Sequence, residues 1–344
     1  MTQPRIAVFA RLANGNKGPT RIIEGQTTKL GRTVHGIAYD PLHDEIVVPN
    51  PLAAAILVFR GSATGAEAPI RVIQGPHTCL ALPHSVNIDT ANKEILVGDL
   101  SSDSVLVFPW NANGDVPPLR KIAGPKTRLG HVVGMAVDPR TNLLAVANTD
   151  EIVMFNRTDD GDVAPRAIIR GTGNEPWQLQ IHDGKIFVAA SNHFHHWVYP
   201  PGQIKPSPEL KEVPHDPWND PAEGFVGVWK IGDNGDVPPW AIIKGRRSGL
   251  RHPSGLALDI ENGEVIVSDS VDNSVRTFRL GGQVFDSRFF LRGEEKIANR
   301  RPDPIPFLTS GDSRTSFAPR VPCPCWACSP WGTCRASGTG GRRR

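Results

Sequence analysis

Residues 36–75 read GIAYDPLHDEIVVPNPLAAAILVFRGSATGAEAPIRVIQG. Four short apolar runs, GIAYD, EIVVPN, ILVFR and IRVIQ, are set apart by turn-prone clusters, and none is long or periodic enough for a helix. The stretch predicts a four-stranded antiparallel unit.

The unit recurs at fixed offsets. An aromatic late in the third strand, at Phe9, Phe59, Phe108, Phe155, Trp229 and Phe278, is followed 15 or 16 residues later by Gly25, Gly75, Gly124, Gly171, Gly245 and Gly293. The start of the first strand, at Gly36, Ser85, Gly134, Gln178 and Gly255, precedes Asn50, Asp99, Asn148, Asn192 and Asp269 by 14 residues each time. Six outer strand pairs and five inner pairs result. A repeat of nearly 50 residues carrying four strands is the signature of a β-propeller, where no blade buries both of its faces alone. The chain opens on third and fourth strands, RIAVFAR and TRIIEG, whose inner partners must come from the far end. The prediction is therefore an all-β, six-bladed β-propeller of four-stranded antiparallel blades, with the closing blade shared between the N- and C-termini.

Composition agrees with one large all-β domain: 344 residues, 39% hydrophobic and 21% charged, with 34 Gly and 32 Pro. The propeller is expected over residues 1–298, with an insertion at 192–225 in blade four. Residues 299–344 break the pattern. They read as divergent closing strands, as a disordered Arg-, Pro- and Cys-rich tail, or as both. A formal charge of +3, concentrated in Arg335, Arg342, Arg343 and Arg344, argues against a nucleic-acid partner. No window approaches the roughly 18 apolar residues of a membrane span. The reading is a cytoplasmic protein, monomeric unless the ring is open. Four of the five cysteines crowd into the tail, so the body is no disulfide scaffold.

Chemistry-bearing residues collect at one predicted mouth of the ring. Residues just before the first strand and just after the second share a face in a propeller. His35 and His84 stand immediately before their inner strands, with His131 and His252 three residues ahead of Gly134 and Gly255, and Trp177 fills the matching site of blade four. After the second strands come Asn50, Asp99, Asn148, Asn192 and Asp269, read as substrate-binding along with Trp177 and Trp197. Singly, each Asn or Asp is also a candidate turn cap, and each His a candidate structural group. The insertion opens from the same mouth and adds His193 and His195. Converging imidazoles suit a divalent transition metal, zinc, copper or iron, and His35, His84, His131, His252, His193 and His195 are the candidate ligands. The opposite face receives mainly Gly, Pro and Asp turns.

The GIAYD, EIVVPN and ILVFR strands, with their repeats over residues 5–293, resemble the NHL-repeat propellers, a likeness that implies the fold and leaves function open. LPHSVNID around His84 also resembles the peptidyl-α-hydroxyglycine amidating lyases, whose channel histidines hold zinc. Carried over, only His84 and, less closely, His35 match, because Val133, Trp177 and Ser254 occupy the corresponding positions of other blades. A second architectural relative, the gluconolactonase-like propellers, implies a metal such as calcium held by carboxylates and amides, with Asp99, Asn148 and Asp269 as counterparts. Two functions follow as expectations. One is a metal-dependent lyase or hydrolase acting on a small polar molecule at the mouth; the other is a non-catalytic propeller binding a protein or peptide there.

Overall fold

The computed structural model describes residues 4–32, 34–170, 172, 175–191 and 224–280. All of these belong to one compact unit, Met1–Pro302; a second unit, Asp303–Arg344, lies outside the described residues. Among the described residues no helix is long and apolar enough to cross a membrane.

The described residues form a β-propeller of small antiparallel sheets. Blade one pairs Ala38–Asp40, Glu45–Asn50, Ala55–Arg60 and Arg71–Gln74 in that order, and blade two pairs Pro83–Asp89, Glu94–Asp99, Ser104–Pro109 and Arg120–Ile122. Blade three runs Val132–Asp138, Leu143–Asn148, Glu151–Asn156 and Ala167–Arg170, and blade four Glu175–His182, Lys185–Ser191, Phe225–Lys230 and Ala241–Lys244. Blade five shows Pro253–Asp259, Glu264–Asp269 and Ser274–Arg279. A separate sheet of two strands, Arg5–Val8 and Arg21–Glu24, precedes them.

Six complete blades were expected, and the described residues give five plus this N-terminal pair. The physical reason is that the pair carries only third and fourth strands. The predicted closing strands at 299–344, the fourth strand of blade five and most of the insertion 192–225 lie outside the described residues.

Neighbouring blades are joined by apolar clusters, which is how a sheet only four strands wide buries both faces. Ile56, Ile73, Val86 and Phe108 unite blades one and two; Leu96, Val107, Met135 and Phe155 unite two and three. Leu179 and Trp229 pack on blade three, and Val226 and Ile243 on blade five. Ile6 and Ile23 of the N-terminal sheet pack with Ile46, Leu57 and Phe59 of blade one.

Two further links repeat around the molecule. The outer strands of the N-terminal sheet and of blades one to three each make a parallel bridge to the hairpin loop of the next blade, at Ile23–Gly65, Ile73–Gly114, Ile122–Gly161 and Ile169–Gly235. The second link comes from the residue two places after Phe9, Phe108 and Phe155, which reaches onto another blade. Trp110 stacks on His43, with ring centroids 3.9 Å apart. Arg157 pairs with Glu94 at 2.9 Å and Asp89 at 3.6 Å. Arg11, in the same place of the N-terminal sheet, pairs with Asp259 at 3.0 Å and Glu264 at 3.5 Å, the blade-five counterparts of Asp89 and Glu94.

The inner strands approach one another closely. A Cβ on Gly134 would lie 2.1 Å from the carbonyl oxygen of Trp177, so only glycine admits the neighbouring strand there.

Candidate functional site

The inner strands of blades two to five each carry a β-bulge at one position. Register shifts fall between Pro83 and Ser85, Val132 and Gly134, Pro176 and Gln178, and Pro253 and Gly255. The bulged residues are therefore His84, Val133, Trp177 and Ser254, and His35 holds the same place before Gly36 in blade one. An extra residue in one strand is left out of the ladder and its side chain is re-aimed, which is why bulges often border functional sites. Two residues earlier, a second tier holds His131, Glu175 and His252 in blades three, four and five.

These two tiers touch from blade to blade. The rings of His35 and His84 stack at 4.4 Å between centroids, 17° from parallel. His84 Nδ1 lies 3.0 Å from the carbonyl oxygen of Val133. His131 Nδ1 lies 3.1 Å from Glu175 Oε1, with the Glu175 side chain almost wholly buried. Trp177 meets His252 edge to face at 5.2 Å, and His252 Nδ1 lies 2.7 Å from Ser270 Oγ. The structure thus gathers His35, His84, His131, Trp177 and His252 into one belt across five blades.

Burial sets the charge of the belt. Desolvation, reinforced by the neighbouring His35 and opposed by the bond to Val133, holds the His84 imidazole down at about 3. Burial lowers His252 as well, partly offset by Asp269. His35 keeps an exposed edge, yet the protein packed about it lowers its value too. Neutral imidazoles present a lone pair on one nitrogen and a donor on the other. For His84, His131 and His252 the Nδ1 partner fixes the ring, the arrangement by which an imidazole is oriented to use its Nε2.

Three polar atoms near the belt have no hydrogen-bond partner among the described residues. They are Trp177 Nε1, Ser85 Oγ beside His84, and Ser191 Oγ on the strand residue opposite Glu175. A buried donor left without a partner costs about 1–3 kcal/mol, so such atoms mark places for water or a ligand.

The strand-end residues are used differently. Asp99 Oδ2 accepts from the Ala81 and Leu82 amides at 2.7 and 2.8 Å, and its Oδ1 accepts from Ser102 N and Oγ. Asp269 repeats this with Arg251, His252, Val271 and Asp272. Asn148 accepts from Gly130 and donates to Arg128 O; Asn50 donates to Lys29 O. Asn50, Asp99, Asn148 and Asp269, expected to bind substrate or calcium, each bond the backbone of a linker between blades, while Asn50 Oδ1 is buried with no partner among the described residues. Asn192, His193, His195 and Trp197 lie outside the described residues.

Glu175, Ser85 and Ser191 were not anticipated. The signal for Glu175 was present, since it stands three residues before Gln178 just as His131 and His252 stand before Gly134 and Gly255.

A ligand sphere of three does not form within the described residues: no group of three or more His, Cys, Asp or Glu there is placed to hold one ion. His35 and His84 offer a pair, and a third donor would have to come from elsewhere. Set beside known proteins, residues 250–278 match the family model described as NHL repeat. That segment is the inner, second and third strands of blade five, with His252 and Asp269 inside it. No curated protein matches the chain.

Proposed function

The chain is an NHL-repeat β-propeller, and from that premise we propose that its mouth binds a small polar molecule. With a divalent transition metal on His35, His84 and one further donor, it would act there as a lyase or hydrolase. The observation that carries the reading is the approach of two imidazoles from adjacent blades, His35 and His84, beside Ser85 Oγ, which has no partner among the described residues. Stacked rings do not aim their in-plane lone pairs at one ion, so joint ligation would require the exposed His35 ring to turn out of the stack. Neutral imidazoles do not repel a cation, and the low His84 value means that protons do not compete for its nitrogen near neutral pH. A bound metal would supply Lewis-acid polarisation or a water of lowered pKa. The belt's own contribution is orientation: Val133 O fixes His84, and Trp177 Nε1 is a donor for an oxygen of the bound molecule.

The ring itself we read as having six positions, the N-terminal pair being the outer half of the sixth. Arg11 supports this, because it holds Asp259 and Glu264 as Arg157 holds Asp89 and Glu94.

Metal analysis after loading with zinc, copper or iron tests the catalytic reading. Near-stoichiometric metal that is lost in a His35→Ala, His84→Ala double variant supports it. A chain that takes up none of the three sinks it. A second reading, capture of a protein or peptide on the same face, is favoured by Trp177, a large aromatic at the centre of the belt. Peptide capture that survives Trp177→Ala would count against that reading.

A further inference from the structure

The loop that joins Arg5–Val8 to Arg21–Glu24 carries an Asn-Gly pair, Asn14–Gly15, that differs in one contact from the other three in the chain, Asn113–Gly114, Asn234–Gly235 and Asn262–Gly263. An Asn-Gly pair is chemically labile. With no Cβ on the glycine, its amide nitrogen can approach the Asn carboxamide carbon and close a five-membered ring. Whether it does so in a folded chain depends on what holds the two groups.

Three of the pairs are tied. In blade two the carboxamide is drawn across to blade one, where Asn113 Oδ1 accepts from Val72 N at 3.1 Å and Gly114 N donates to Val72 O at 2.7 Å. Both reacting groups are engaged by one residue of the neighbouring blade. In blade four Asn234 Oδ1 accepts from Ile168 N at 3.0 Å, and Gly235 enters the parallel ladder opposite Ile169. Asn262 is held within its own turn: its Nδ2 donates to both oxygens of Asp259, at 2.9 and 2.8 Å, and Gly263 N donates to Ile260 O at 3.3 Å.

Asn14 is arranged the other way. Gly15 N donates to Asn14 Oδ1 at 2.9 Å, so the carboxamide lies against the nitrogen that would attack it. Both residues are exposed, and no atom stands within 4 Å of the place a Cβ on Gly15 would take. The contact joins the two reacting groups themselves. Blade three shows that a carboxylate fits at this place in the repeat: Asp160, the counterpart of Asn113 beside Gly161, accepts from Lys121 N at 2.8 Å. Asn113 and Asn234 are therefore protected by the restraint on ring closure and not by any exclusion of the product.

We propose that Asn14–Gly15 is a site of spontaneous covalent modification, deamidating through a succinimide while the fold spares the other three pairs. Gly15 N gives up its proton and forms a bond to Asn14 Cγ. The bond from Cγ to Nδ2 breaks, and the amide leaves as ammonia with that proton. Water then opens the ring at either carbonyl, giving aspartate or isoaspartate and a new carboxylate in the loop. In the isoaspartate form the main chain runs through the former side-chain carbon, which lengthens the connection between Arg5–Val8 and Arg21–Glu24.

The full chain is incubated at mildly alkaline pH, folded and in parallel unfolded in urea, and its peptides are mapped over time for aspartate and isoaspartate at each pair. In the folded chain Asn14 is expected to convert at least about tenfold faster than Asn113, Asn234 or Asn262, because only its reacting groups are already in contact. In urea the four rates should converge. The three tied pairs serve as controls within the same molecule, so no variant has to fold for the comparison to be made. Equal rates at the four pairs in the folded chain overturn the proposal, as does a slower rate at Asn14, the result of restraint there by any other part of the chain. Rates in urea that keep the folded order overturn it too, since flanking sequence and not the fold would then set the difference.

Discussion

Two sets of residues were legible at the same mouth from their spacing, and the fold puts them to opposite uses. His84 and Trp177 on the bulges, with His131 and His252 two places before the bulges of their own blades, meet side chains of other blades. His35 lies on His84, Trp177 on His252, and His131 on Glu175, which was not among the expected residues. Asn50, Asp99, Asn148 and Asp269, at the ends of the second strands, turn their polar atoms onto the linker backbone. The residue types alone do not separate the two, since a carboxylate is as good a ligand as an imidazole. What separates them is the ladder. A strand-end side chain lies over a linker whose amides need acceptors, whereas a bulged residue has left the ladder and is surrounded by other bulged residues.

The comparison breaks most visibly at Asp99. Four donors converge on its two oxygens, and the side chain is fully buried. Asp99→Ala leaves the Ala81, Leu82 and Ser102 amides without acceptors. A loss of about 3–5 kcal/mol of folding stability is expected from hydrogen bonds to a charged group and from the stranded donors. Equilibrium urea unfolding measures it. A change below about 1 kcal/mol would return Asp99 to the list of candidate ligand-binding groups.

His84 sharpens the other half. Its folded-state value of about 3 lies below the 6.5 of a free imidazole, so the unfolded chain takes the proton first. Stability is then complete above about pH 6.5 and falls as pH drops toward about 3. His35, His131 and Glu175 are the titratable groups around it; His35 and His131 lower its value and Glu175 raises it. By pH 4 the loss attributable to this one side chain is roughly 3 kcal/mol. Unfolding measured with chelator present from pH 7 to pH 4 should show that slope, and His84→Gln should flatten it. An unchanged slope in the variant would mean that His84 is already solvated and protonatable, hence no part of a dry belt.

How far the site could be read from sequence follows from the same distinction. The blades were readable because alternating apolar strands and Asn-Gly or Asp-Gly turns recur at constant offsets; Gly65, Gly114, Gly161 and Gly235 all have the positive φ their turns require. A bulge has no such mark. It is a mismatch between two strands, visible only once Pro83 is known to face Asp99 and Ser85 to face Gly98. The destination of the strand-end oxygens was hidden for a related reason. The linkers they hold turn at Lys29, Cys79 and Arg128, at φ 58, 59 and 60, positions where no glycine announces a left-handed residue. At Glu175 this blade supplies a carboxylate at the offset where blades three and five supply the imidazoles of His131 and His252, so residue type alone does not mark it.

The smallest effect expected from the comparison is at Trp177, and it tests whether the belt is built for a guest or for itself. Its side chain is 8% exposed and packed against His252, while its Nε1 is buried with no partner among the described residues. A donor that serves folding is missed when it is removed. A donor held ready for a ligand is not, because taking it away removes an uncompensated desolvation cost along with it. Trp177→Phe keeps an aromatic on the bulge and deletes the indole N–H, so unfolding free energy should stay within about 1 kcal/mol of the parent once the lost ring area is allowed for. Retention of bound small molecule in the same variant should fall, because the donor it would use is gone. A larger destabilisation with unaltered ligand retention would place the indole N–H among the groups that hold the fold, alongside Asp99, and would leave the imidazoles as the only part of the belt facing a ligand.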